Sequence, residues 1–140
     1  MRFPILILMS GLALGLGSLL GCAKDGSGEV VEGKVTFAGQ PLGSGHIDFI
    51  PADGKGPASG GEIKNGQYQF KIVVGPKRVN ITADKVTGQQ KAYPNDPNSP
   101  VFDIKEQYIP NRYNTNSELK RDVVSGKNTF DFDLTVDAAK

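Results

Sequence analysis

The chain is poor in the residues that build covalent staples and metal cages. Its 140 residues include one cysteine, one histidine and no tryptophan. A lone thiol closes no internal disulfide and forms no cysteine–zinc cage. A zinc site on His46 and Asp48 lacks a second histidine, because the chain has none. An excess of one charge is missing as well: 16 Lys and Arg face 15 Asp and Glu, for a net charge of +1. Nucleic-acid binding requires clustered positive charge, so nucleic acid is not an expected partner. The same balance argues against a polybasic membrane patch. Beyond residue 29 no stretch repeats with helical periodicity, and no internal repeat is visible. Glycine (18) and proline (9) are plentiful, which fits short strands joined by tight turns. With no staples, the core must come from packing alone.

The first segment differs from the rest. Arg2 precedes an apolar run from Ile5 to Leu20 that is interrupted by glycine. A basic residue ahead of an apolar core is the layout of a secretory signal. The run approaches the roughly 20 residues needed to span a bilayer, but its glycines weaken a helix. It also ends in Leu19-Leu20-Gly21-Cys22 rather than in basic stop-transfer residues. That tetrapeptide resembles a bacterial lipobox, with Leu20 where Ala or Ser is commoner. The resemblance implies cleavage before Cys22, diacylglycerol on its sulfur and acylation of the new amino group. Two or more acyl chains anchor firmly where one does not. Residues 1–21 are thus expected to be a lipoprotein signal peptide, and residues 22–29 a lipidated tether of small and polar residues. The cell envelope is the expected location, with the membrane reached through the lipid on Cys22. Ala23, in place of Asp, favours the outer membrane.

From Val30 to residue 137 the chain reads as one domain. Val31, Gly33, Val35 and Phe37 share one parity and Glu32, Lys34 and Thr36 the other, the period-two signal of a half-buried strand. Ile47 and Phe49 point inward on a second strand. Ala58–Ile63 is a third. Asn65-Gly66 predicts a type I′ hairpin turn, whose two central residues need positive φ. Tyr68, Phe70 and Ile72 alternate after it, as do Val79, Ile81 and Ala83. Leu119–Val124 is a further strand, and Phe130, Phe132, Leu134 and Val136 give the cleanest alternation of all. Residues 86–117 break the pattern. Their Asn95-Asp96-Pro97-Asn98-Ser99-Pro100 core is expected to form a long loop, unusual in a compact domain and often functional. The expected fold is all-β: a single antiparallel sandwich of about seven strands.

The segment "VEGKVTFAGQPLGSGHIDFIPADGKGPASGGEIKNGQYQF" resembles the carboxypeptidase regulatory-like, or transthyretin-like (prealbumin-like), sandwich domain. Strand, Gly-x-Pro-Leu turn, second strand and Gly-x-Tyr hairpin follow in the family's order. "GPKRVNITA" is similar to its next strand. "YIPNRYN" (108–114) and "NTFDFDL" (128–134) resemble the later part of small planctomycete lipoproteins that carry this domain. The resemblance implies a non-catalytic structural or adhesive module with no cofactor and no catalytic residues to transfer. A sandwich of this kind hosts many functions.

Candidate chemistry is sparse. Ser44, His46 and Asp48 fall on one strand face. Alternate residues on a strand lie about 6–7 Å apart, too far for the roughly 3 Å contact of nucleophile and base. Asp53 and Asp96 lie in loops where calcium ligands could gather, but neither fits a calcium-loop pattern. Asp131 and Asp133 share an outward face, as paired glycosidase carboxylates would, but the expected reading is the solvated face of a final strand. Asn80-Ile81-Thr82 matches a glycosylation pattern without further support. Tyr93, Phe102, Tyr108 and Tyr113 punctuate the long loop. They are the candidate partner-binding residues, because exposed aromatics anchor proteins and sugars; the alternative is a lid folded over the sandwich edge. The leading expectation is a non-enzymatic structural or protein-interaction module that contacts an envelope protein. A carbohydrate-binding module using the loop aromatics on a glycan is the alternative. No acid, base and nucleophile set converges to indicate an enzyme.

Overall fold

The computed structural model describes residues 28–136. The lipobox residues Leu19, Leu20, Gly21 and Cys22, and most of the tether, lie outside the described residues. Eleven strands occur among those described: β1 (Glu29–Phe37), β2 (Gln40–Pro41), β3 (Ser44–Pro51), β4 (Ser59–Lys64), β5 (Gln67–Ile72), β6 (Gly75–Thr82), β7 (Asp84–Lys91), β8 (Val101–Gln107), β9 (Lys120–Val123), β10 (Asn128–Thr129) and β11 (Phe132–Leu134). One 3₁₀ turn spans Asn111–Tyr113. The fold is an all-β sandwich.

Turn chemistry sets the local order. Asn65 and Gly66 both have positive φ (50° and 73°), as a type I′ turn demands. Ala38 and Gly39 repeat that geometry (51° and 78°) and return β1 onto β2. The strands follow the ladder β10-β1-β5-β4-β3-β6-β9. Its weak joint lies between β4 and β5, which pair only at Lys64 and Gln67. There the ladder splits into two layers, β4-β3-β6-β9 and the group around β1 and β5. Beyond this corner Gly61 faces Phe70, and an added Cβ would come within 3.0 Å of the Phe70 ring.

The alternation of the sequence becomes the core. Val31, Val35, Ile47, Phe49, Val79 and Ile81 are fully buried, and Ile63, Tyr68, Ile72, Val123, Phe132 and Leu134 nearly so. Phe49 is the hub. Its ring lies 5.5 Å from Phe70, 6.2 Å from Phe130, 6.3 Å from Tyr68 and 6.4 Å from Phe132. Truncating such a ring removes transfer energy and leaves a cavity, costing about 3–5 kcal/mol.

Two expectations need correction. The C-terminal segment does not pair antiparallel. β10 and β11 both run parallel to β1, in a single register (Val31 with Asn128, Val35 with Phe132). Between them the ladder is interrupted at Phe130 and Asp131. The Phe130 N–H donates to the Glu32 carbonyl at 2.9 Å, and the Asp131 carboxylate takes the Lys34 N–H at 2.8 Å in place of a backbone carbonyl. Asp133 accepts from the Thr36 hydroxyl. These two carboxylates therefore stitch the last segment to β1. Val136, expected to continue the alternation, is exposed. The second correction concerns the loop at 86–117: β7 and β8 are antiparallel strands of a hairpin separate from the sandwich. The prolines belong to its tip and not to its arms, so the proline argument applies only to residues 92–100.

Gly33 is where this closure happens. A Cβ there would lie 1.8 Å from the Phe130 carbonyl oxygen. The Tyr68 hydroxyl reaches past the bare glycine to donate to that same oxygen at 2.7 Å. Burial pushes the Tyr68 phenol well above its ordinary value; Asp131 adds to the shift and Arg121 opposes it.

Two predictions follow from this contact. Gly33→Ala forces the backbone apart and should destabilise by about 2–3 kcal/mol in urea unfolding; an unchanged midpoint would remove the closure argument. The raised Tyr68 value means that stability is fully present below the unfolded tyrosine value of about pH 10 and is lost as pH rises further. Tyr68→Phe should lose about 1 kcal/mol at neutral pH and show a shallower alkaline decline, measured by unfolding across pH 8–12.

Candidate functional site

Strand direction fixes where each surface lies. Glu29 pairs with Ile72, and Lys34 with Gln67. Lys64 joins Gln67, and Ser44 pairs with Lys64. His46 pairs with Thr82, the last residue of β6. The end of β6 therefore shares a pole with the end of β1, and Glu29 marks the opposite pole. The β7–β8 hairpin starts two residues beyond Thr82. It leaves the sandwich at the pole farthest from Glu29. The Tyr108 N–H donates to the Ala83 carbonyl at 3.1 Å, and the Tyr108 ring meets Phe37 edge-on at 5.5 Å. Together these contacts root the hairpin.

The four candidate aromatics divide in pairs. Tyr108 and Tyr113 pack against the core. The Tyr113 hydroxyl accepts the Thr135 N–H at 3.1 Å and meets the Thr135 hydroxyl at 3.2 Å. Burial pushes this phenol up, but its Thr135 and Arg112 partners outweigh burial and hold it below its ordinary value. Arg112 lies 4.9 Å above the Tyr113 ring and donates to the Thr135 carbonyl at 2.8 Å. Arg112 and Tyr113 together hold Thr135 beside the sandwich. Tyr93 and Phe102, by contrast, are 65% and 60% exposed on the hairpin.

The hairpin carries more apolar surface than those two rings. Val86, Val101 and Ile104 are also exposed. Direct pairing places Phe102 beside Gln90 and Ile104 beside Gly88, so Phe102 and Ile104 line one face. Thr87 is the extra residue that bulges β7 between Val86 and Gly88. The tip is held by its own polar groups. The Tyr93 N–H donates to the Ser99 hydroxyl at 2.7 Å, the Ser99 N–H to the Asp96 carbonyl at 3.1 Å, and the Asn98 N–H to the Asp96 carboxylate at 2.8 Å. Asp53 accepts the Lys55 N–H at 2.9 Å in the same way. Both loop aspartates thus serve their own turns.

A second surface is an open, polar groove of about 870 Å³ over β4, β5, β1 and the C-terminal crossing. Its floor includes Gly33 and Tyr68. Lys64 pairs with Glu62 of its own strand at 2.7 Å, and Glu32 pairs with Lys127 at 2.7 Å. The Lys64 hydrogen bond and charge hold Glu62 below the usual carboxylate range, and the Glu62 hydrogen bond and charge hold Lys64 above its own. Gln69 donates to Glu32 at 3.3 Å. The groove was not legible in the sequence, because its residues come from four segments with no shared motif. Beside it, His46 Nε2 lies 3.2 Å from Asp48 Oδ1, closer than strand spacing alone allows, because the two long side chains lean together. The contact that His46 makes is with a carboxylate, and the described residues contain no metal-ligating cluster of three or more side chains. Among the described residues, no nucleophile and base are held in hydrogen-bond contact.

Comparisons with known proteins add little. No family model matches the chain, and no curated protein matches it. Among solved structures, a 9R-lipoxygenase from Cyanothece PCC8801 aligns at 13% identity and a TM-score of 0.43 over 78% of this chain. This chain spans only 16% of that enzyme. The dioxygenase domain of a dioxygenase–carbohydrate-binding protein fusion from Streptomyces sp. SirexAA-E aligns at 23% identity and a TM-score of 0.38, over 82% of this chain and 84% of that one. Likeness at this level carries no argument about chemistry.

The division of the aromatics is measurable. Tyr93→Ala should change stability by no more than about 0.5 kcal/mol. Tyr108→Ala should cost about 3 kcal/mol, because it removes a ring packed on Phe37. Equal thermal shifts for the two variants would overturn this assignment.

Proposed function

We propose that the chain is a cell-envelope lipoprotein. Its transthyretin-like sandwich acts as a non-enzymatic structural or protein-interaction module, held at the outer membrane by lipid on Cys22. The observation that carries the reading is the placement of the hairpin. It leaves the sandwich at the pole opposite Glu29 and exposes Tyr93, Phe102, Val101 and Ile104. A lipid on the tether before Glu29 would thus leave the apolar hairpin at the far end, where a partner meets it. Loops and hairpins on rigid scaffolds are favoured contact elements. Of the reading's parts, the transthyretin-like kinship rests on the quoted segments and on the positive-φ hairpin turns.

The carbohydrate reading keeps one exposed tyrosine, Tyr93, and the polar groove with Gln67 and Gln69. It has lost Tyr108 and Tyr113 as stacking platforms, because both rings are packed against the core.

The test has two arms. Intact-mass analysis of the membrane-extracted protein should show a chain that starts at Cys22 and carries an acyl increment; Cys22→Ser should lack the increment. A photo-crosslinker at residue 102 should then yield a protein adduct in the intact envelope. An unmodified mass would defeat the anchor. Glycan binding that is lost in Tyr93→Ala, with no protein adduct, would favour the carbohydrate module instead.

A further inference from the structure

We infer that the free edge of β8 pairs with the same edge of a second copy of this chain, antiparallel and centred on Ile104. The inference rests on the reading of the hairpin as the contact element, and it names the partner.

The sheet formed by β7 and β8 has two edges, and the two differ. Among the described residues each of these strands pairs only with the other. An unpaired edge presents a row of N–H and C=O groups ready to receive another strand. On β7 that edge is broken by the bulge at Thr87, a device that discourages pairing. β8 has no bulge, and its seven residues Val-Phe-Asp-Ile-Lys-Glu-Gln contain no proline. All seven are exposed. Three of them, Val101, Phe102 and Ile104, are large and apolar.

The charges of β8 select the occupant. A lysine on an edge strand normally repels a second copy. Here Lys105 and Asp103 flank Ile104 symmetrically. When two copies pair antiparallel about Ile104, Asp103 of each lies directly across from Lys105 of the other. Both opposite-charge pairs form at once, as the two-fold symmetry of an isologous contact requires. Shifting the centre by one residue, to Asp103 or Lys105, places like charges across from each other at the axis. Asp103 accepts from Gln89 of its own hairpin through Oδ1, which leaves Oδ2 for the partner. On the other face the two Ile104 side chains meet at the axis, and each Phe102 lies diagonal to the partner's Ile104 and directly across from the partner's Glu106. The result is a four-stranded sheet closed at both ends by bulged strands, so pairing stops at two copies. The interface is small, and the association belongs to the weak, transient class.

The single native cysteine makes the test clean. The full chain with Ile104→Cys is oxidised mildly in membranes, beside the unsubstituted chain and Gln90→Cys. Residues directly opposite in an antiparallel pair have Cα atoms about 4.5–5.5 Å apart, within disulfide range. Ile104→Cys should give at least tenfold more covalent dimer than either control; an equal yield overturns the pairing. Sedimentation of the detergent-solubilised chain supplies the second readout. Asp103→Lys and Lys105→Asp should each weaken association about tenfold, and the double exchange should restore it to within about twofold, with unchanged circular dichroism throughout. A double exchange that stays as weak as the single ones overturns the charge argument. The photo-crosslink at residue 102 separates the two levels. An adduct of twice the chain mass supports self-pairing. An adduct with a different protein keeps the interaction-module reading and overturns self-pairing. No adduct overturns both.

Discussion

The sandwich depends on one close approach, the Phe130 carbonyl passing over Gly33. The last segment of the chain must return to β1 to complete the second layer, and β1 already has β5 on its other side. At Gly33 there is no side chain in the way, so the Phe130 carbonyl can move in and meet the Tyr68 hydroxyl. From that point β10 and β11 lie parallel to β1 on either side of the interruption. Phe130 and Phe132 are thereby delivered to Phe49, the ring around which the remaining aromatics pack. The core is therefore consistent across levels: strand parity, turn residues and one bare position all serve the same closure.

The packing that stabilises the fold lies within the sandwich, and little of it reaches the hairpin. β7 and β8 bury almost nothing, and a lone two-stranded hairpin is marginal in water. What orders it is local: the tip's hydrogen bonds at one end and the Tyr108–Phe37 contact at the other. Apolar side chains left exposed on an element with so little internal support are an unusual investment. Covering them would stabilise the hairpin as well as join two surfaces.

Much of the sandwich was legible in residue order. Val31, Val35, Ile47, Phe49, Tyr68, Ile72, Val79 and Ile81 are inward by parity and are buried. The Asn65-Gly66 turn was legible from backbone sterics alone. The parallel return of β10 and β11 was not, because alternation reports which face a residue takes and says nothing about strand direction. The hairpin was hidden for a different reason. Its arms face water on both sides, so no apolar alternation marks them, and the prolines of the tip masked the strands beside it. Of the aromatics, spacing could not tell Tyr108 from Tyr93. The distinction arises from Ala83 and Phe37, which lie far from both in sequence. The groove over Gly33 was invisible for the same reason: four separate segments meet there.

The positions of the two poles set a length scale for the whole molecule. β1 spans about 30 Å at roughly 3.3 Å per residue, from Glu29 to the root of the hairpin. An antiparallel pair of β8 edges reverses direction at its two-fold axis, so the two sandwiches lie at opposite ends of the shared sheet. If each hairpin continued the line of its own β1, the two Glu29 ends would lie on the order of 80–90 Å apart by the same rise. A dimer of that shape suits two facing surfaces better than one. It would act as a spacer that holds a fixed gap between them.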